Sequence, residues 1–128
     1  MIVLKDGAIV QQGSPKQLYN KPVDEYVAGL FGIYNIVSRE RIFALFSIVV
    51  NKPTGKEPLI RPDSFVIYDK ETQGAIPGKV QQVTFFGNYS VLEIAFERLV
   101  IKAVTTHPLL KPNDVVHVAL IADNIWFV

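Results

Sequence analysis

Few residues in this 128-residue sequence are of types that do chemistry, and their spacing decides what they can do. Gly55-Lys56 and Gly78-Lys79 are glycine-lysine pairs. Neither has the upstream glycine, or the following Ser or Thr, with which a loop cradles phosphate and magnesium. The acids Asp24 and Glu25 are consecutive, so on a helix they point in different directions and cannot share a proton-transfer task. No His-Glu-x-x-His or Gly-x-Ser-x-Gly motif occurs, and there is no cysteine, which removes thiolate nucleophiles, disulfides and sulfur-ligated metals together. His107 precedes Pro108 in a predicted loop, and His117 lies between Val116 and Val118 on a predicted strand, facing away from them. With no acids at ligand spacing, both read as ordinary surface or interface histidines. No catalytic residue and no metal ligand is assigned.

Binding chemistry is better represented. Phe85, Phe86 and Tyr89 surround a predicted turn at Gly87-Asn88. Such a cluster stacks on nucleobases or packs against protein, and charge separates the two. Thirteen Lys plus Arg against twelve Asp plus Glu leave a net charge of +1 and a pI near 8.0. Lys79, Arg98 and Lys102 are scattered among Glu93 and Glu97. Phosphate-backbone binding needs a dense positive footprint, so packing or protein contact is expected and no nucleic-acid partner is. A second use of the same region is to hold an oxyanion on the backbone amides of glycine turns, helped by Arg61, Lys79 or Lys102; ordinary solvated lysines are the plainer reading. The candidate ligand or partner residues are therefore Arg61, Lys79, Phe85, Phe86, Gly87, Asn88, Tyr89 and Lys102.

The elements that position these residues follow from pattern. Hydrophobic residues are 49% of the chain and charged residues 20%, with mean hydropathy +0.25, so the chain folds; its length suits one domain with a small appendage. The N-terminus reaches Lys5 and Asp6 too soon for a signal peptide, and the longest apolar run, Ile42 to Val50, is far short of the roughly 20 residues that span a bilayer. Asp6-Gly7 predicts a hairpin tip. Ser14-Pro15-Lys16-Gln17 predicts a capped short helix ended by Asn20-Lys21-Pro22, and a second begins near Val23 or Asp24. Ser38 caps a third, with Ile42, Leu45, Phe46 and Val49 on one face, although the β-branched run Ile48 to Val50 favours a strand. Residues 51–58 form an exposed loop. Strands are expected over 59–61, 64–68, 79–86, 89–96, 99–105, 115–121 and 125–128. The fold class is mainly β: a small barrel or sandwich with an N-terminal hairpin and two or three short helices.

Several phrases in this order carry a family resemblance. The hairpin IVLKDGAIVQQG, the capped helix SPKQLY, the phrase NKP and then VAGLFGIYN resemble the end of the nucleotide-binding domain of bacterial ABC importer ATP-binding subunits. LIRPDSF resembles the Arg-Pro-Glu-Asp stretch that opens their accessory domain, with Asp63 where Glu is usual. GKVQQVTFFGNYSVLEIAF, LVIKA and LKPNDVVHVAL resemble the strand pattern of the OB-like TOBE domain, with Asn113-Asp114 at a turn where Gly-Asp is usual. The resemblance implies an ATPase-domain tail over 1–37, a linker or helix plus loop over 38–58, and a TOBE domain over 59–128. It implies that the phosphate-binding loop, signature motif and switch histidine lie upstream of Met1, so this stretch neither binds nor hydrolyses ATP and takes no cofactor itself; ATP and magnesium belong to the parent subunit. It implies a cytoplasmic module at the inner membrane face, partnered through the parent with permease subunits, and a homodimer contact or a site for a small solute or regulatory protein. The hairpin residues Ile2, Val3 and Leu4 are expected to expose apolar surface that favours self-association.

Overall fold

The Asp6-Gly7 pair turns the chain as its residue types require. Asp6 has φ 53 and Gly7 φ 81, both left-handed, so β1 (Ile2–Lys5) returns antiparallel as β2 (Ala8–Gln12). The computed structural model describes residues 1–51, 55–107 and 109–128; the loop expected over 51–58 therefore lies partly outside the described residues, as does Pro108. After the hairpin, Ser14 and Gln17 form the expected reciprocal capping box at the start of α1 (Pro15–Asn20). The Asp24 carboxylate accepts from the Val27 N–H and starts α2 (Glu25–Leu30). Val3, Leu18 and Val27 form a small core between hairpin and helices, with Val10 and Phe31 against it.

Residues 35 to 128 build the larger unit. A short strand β3 (Asn35–Ile36) leads to α3 (Arg39–Phe46), capped by Ser38. The helix stops where Ser47 turns left-handed at φ 58, so Val49 is not on its face as expected but exposed beyond it. Ile48 and Val50 form neither helix nor strand; they pack on the main core from an irregular segment. β4 (Pro58–Ile60) pairs with β3 on one side and β10 (Trp126–Phe127) on the other.

The remaining strands are β5 (Phe65–Tyr68), β6 (Ile76–Phe85), β7 (Ser90–Phe96), β8 (Leu99–Thr105) and β9 (Val115–Leu120). They form one antiparallel sheet in the order β5-β9-β6-β7-β8. Alternation drives its curl into a half-barrel: Val80, Leu92, Ile94, Ile101, Ala103, Val116 and Val118 all face the core, closed by Val37, Ile42 and Ile60. Each large aliphatic buried there stabilises the fold by about 1.5–3 kcal/mol. A register shift between Val80 and Gln82 bends β6, and its distal half runs on beyond β9 with β7 and β8. Gly78 lies at the crowded bend, where a Cβ would come within 2.6 Å of Ile94 Cγ2. Among the described residues no helix is long and apolar enough to cross a membrane.

Candidate functional site

The junction between the N-terminal unit and the half-barrel is organised by Arg61. Pro62 holds the residue before it extended, and Arg61 accordingly has φ −75 and ψ 150, which sends its side chain back towards the helices. Arg61 as a whole is 4% exposed. Its Nε and Nη2 donate to the Tyr19 carbonyl at 3.0 and 2.8 Å. Nη1 donates to the carbonyls of Ala28, Gly32 and Ile33 at 3.1–3.2 Å. The Tyr19 ring lies 4.2 Å from Cζ. These carbonyls lie at and just beyond the C-terminal ends of α1 and α2, where a buried cation is the natural partner. Burial lowers the Arg61 pKa, and Tyr19 and Asp63 oppose the shift. Burial raises the Tyr19 phenol, helped by Asp63, whose Oδ1 accepts from its hydroxyl at 3.5 Å. Trp126 adds a second tie, its indole N–H donating to the Pro22 carbonyl at 2.9 Å.

Asn35 is the other buried polar device. Its Oδ1 accepts from the Lys102 N–H at 2.7 Å, and its Nδ2 donates to the carbonyls of Lys102 and Ile60. No sequence signal marked this role, because a lone Asn before an apolar run has no spacing to read. Nor did the sequence reveal that Arg61 tethers two units; the Arg-Pro pair announces a turn, and where the guanidinium lands is a tertiary fact.

The predicted candidates separate into two groups. Phe85, Phe86, Gly87, Asn88 and Tyr89 come together at the tip of the β6–β7 ribbon. Gly87 takes φ 99, and the Phe86 N–H donates to the Tyr89 carbonyl at 2.8 Å. The rings of Phe86 and Tyr89 stack with centroids 5.2 Å apart. Phe85 is 72% exposed, Phe86 52% and Tyr89 40%. The three cations do not converge. Arg61 is buried at the junction and turned to carbonyls; Lys79 is exposed on β6 opposite Ala95; Lys102 is exposed on β8 opposite Glu93. Lys102 borders a depression of about 640 Å³ with Gly29, Gly32, Ile33 and Tyr34.

A larger groove of about 680 Å³ opens beside the Arg61 junction. Its walls include Tyr19, Pro62 and Asp63 from the junction, Phe65 to Ile67 of β5, Val104 and Thr105 of β8 with Thr106 after it, and Tyr89. His107 and His117 are outside it. His107 Nε2 lies 3.7 Å from the Asp69 carboxylate; His117, opposite Tyr68 on β9, has a buried Nδ1 with no hydrogen-bond partner. Among the described residues no three His, Asp or Glu are grouped as metal ligands.

A family model described as the TOBE domain matches residues 59–128. The chain is 26% identical over 105 residues to the spermidine/putrescine import ATP-binding protein PotA of Clostridium acetobutylicum, covering 73% of this chain and 30% of that protein. It is 26% identical over 103 residues to the sulfate/thiosulfate import ATP-binding protein CysA of Mesostigma viride, covering 73% and 29%. It is 29% identical over 111 residues to the Fe(3+) ions import ATP-binding protein FbpC of Brucella abortus, covering 76% and 31%. The chain thus spans 29–31% of the length of these relatives.

Proposed function

The chain belongs to the TOBE domain family, and on that premise we propose that it is a non-catalytic regulatory and dimer-contact module of an ABC importer ATP-binding protein, serving solute import. On this reading it stands at the cytoplasmic face beneath permease subunits, and ATP and magnesium are handled by the rest of such a protein. The observation that supports the contact role is the aromatic ribbon tip. Phe85, Phe86 and Tyr89 are exposed together on a turn pinned by its own hydrogen bond, so they present apolar area at little ordering cost. Aromatic anchors of this kind dominate protein contacts, and a contact needs no reactive group. The exposed hairpin residues Ile2, Leu4 and Ile9 add a second apolar surface. The proposal is tested by amide NMR of the chain over a dilution series. Concentration-dependent shifts gathered at residues 85–89 are expected; shifts absent there would remove the contact role.

A second reading is a sensor for a small solute of oxyanion type. It is favoured by the depression where Lys102 stands beside Gly32, which turns the chain at φ 143, since backbone amides at glycine turns hold anions without much net charge. A thermal-shift screen against oxyanions, polyamines, ferric chelates, sugars and ATP separates the readings. A solute that binds only the folded state adds about 2.7 kcal/mol at one hundred times its dissociation constant. Stabilisation by oxyanions that Lys102→Ala abolishes would support the sensor.

A further inference from the structure

The exposed aromatic tip is too small to hold a second chain by itself. An aromatic side chain buries roughly 200 Å², so at their exposures Phe85, Phe86 and Tyr89 together offer only about 300 Å² of new burial. A stable pairing needs about 800 Å² from each partner. The rest has to come from surface next to the tip, and two concave surfaces adjoin it. The one beside Phe86 is about 140 Å³ and includes Gln82, Glu93 and Lys102, whose charges an entering ring would strip of water. The other is the groove of about 680 Å³, with Tyr89 in its wall and Ile33, Phe65, Val66, Val91 and Val104 as apolar lining. Its one charged residue, Asp63, already accepts from the Tyr19 hydroxyl and lies near Arg61, so an apolar guest leaves no new charge unpaired. Among the three aromatics, Phe86 and Tyr89 are stacked on each other, whereas Phe85 is the most exposed and makes no ring contact among the described residues.

We propose that the groove is filled by a second copy of this chain, Phe85 of each copy seating against Val66, Val91 and Val104 of the other across a twofold axis beside Tyr89. This rests on the contact role proposed above and supplies the surface that receives the tip. Tyr89 belongs to both the tip and the groove wall, so the two surfaces lie side by side on one chain. Two copies related by a twofold axis then each give a tip and receive one, and the contact closes on itself. A tip far from its groove would instead link copies into an open chain. Reciprocal seating adds groove wall to tip on each copy, which brings the buried area towards that of a stable dimer. A ring held on a pinned turn and entering an apolar pocket is the kind of anchor that carries most of the energy in such contacts.

The chain has no cysteine, so single introduced cysteines report the contact without background. Asn88→Cys marks the tip and Thr106→Cys the groove, and both positions are exposed. The two variants of the full chain are mixed in a glutathione redox buffer, and the disulfide-linked products are separated by mass. The product that joins the two different variants is expected to exceed either self-linked product about tenfold. An excess of self-linked Asn88→Cys would mean that tip meets tip, which overturns the seat in the groove and leaves the contact role standing. A dimeric mass with no linked product would overturn the seat in the same way, and a mass of one chain with no linked product would overturn both. Thr106→Arg places a charge at the groove without touching the tip. It should raise the dimer dissociation constant about tenfold in sedimentation with the melting transition kept, and a dimer indifferent to it would overturn the groove as the receiving surface.

Discussion

Asn35 and Lys102 are 67 positions apart, yet the Asn35 side-chain amide bonds to both backbone groups of Lys102, at 2.7 and 2.9 Å. An asparagine carries the same donor and acceptor as a peptide unit, so it stands in for a neighbouring strand at one point of an open edge. It also reaches the Ile60 carbonyl at 3.2 Å within the small sheet, so that its side chain ties the small sheet to the large one at Lys102. Asn35→Ala leaves these groups without partners and is expected to cost about 1–3 kcal/mol. Denaturant unfolding reads the loss, and amide exchange at Lys102 should accelerate more than at its neighbours on β8.

Arg61 predicts a different kind of failure. Five hydrogen bonds from one guanidinium hold the ends of α1 and α2 to the start of the half-barrel. Arg61→Met removes them and is expected to cost about 3 kcal/mol, since bonds to a charged donor are the stronger ones. Arg61→Lys should recover little, because an ammonium cannot span four carbonyls set around a planar fork. The measurement is limited proteolysis with thermal unfolding. Cleavage should appear first between residues 20 and 34, and the N-terminal unit should melt ahead of the barrel.

How far the sequence could be read follows from the range of the interactions. Asp6-Gly7, Ser14 with Gln17, and Ser38 act within a few residues, so the hairpin and the helix starts were legible. Period-two alternation made the barrel strands legible, and the TOBE resemblance over 59–128 agrees with the family match. The end of α3 was not, because Ser47 takes a left-handed conformation that nothing in its type demands, and Val49 falls off the helix with it. The aromatic tip could be named in advance since its residues are neighbours in sequence. The groove could not, because Tyr19, Asp63, Tyr89 and Val104 meet only through tertiary packing.

Gly78 tests the packing of the bend in β6. A Cβ there would meet Ile94 Cγ2 at 2.6 Å and Phe96 Cε1 at 2.7 Å. Neither neighbour has room to retreat without disturbing the core or its edge, so Gly78→Ala should destabilise by about 1–3 kcal/mol. Gly55→Ala is a poor control because its φ of 83 strains any side chain, whereas Gly29, with only a Tyr34 ring carbon at 3.5 Å, tolerates Ala. Thermal denaturation of the Gly78→Ala and Gly29→Ala variants should differ accordingly.

The Asp114 carboxylate predicts a small acid dependence. The Lys111 N–H donates to its Oδ2 at 3.0 Å, and the Lys111 ammonium lies 3.2 Å from Oδ1. The backbone bond first, then the side-chain bond, hold the carboxyl below its ordinary range. A depressed folded pKa stabilises above the unfolded value of about 3.9, and the contribution is lost as pH falls through the lower folded value. Melting temperatures of the wild type and Asp114→Asn should therefore differ at neutral pH and begin to converge only below about pH 4, as pH falls towards the lower folded value. A difference that persists unchanged into acid would mean that the Lys111 contacts do not favour the ionised form.

The contact role of the aromatic tip is tested most directly by the mass of the chain in solution. Sedimentation equilibrium at micromolar concentration should give twice the 14.3 kDa of one chain. Phe86→Ser with Tyr89→Ser should return it to one, with the melting transition kept, because both side chains are exposed and outside the main core. A wild-type mass of one chain, or a double variant that still sediments as two, would contradict the account.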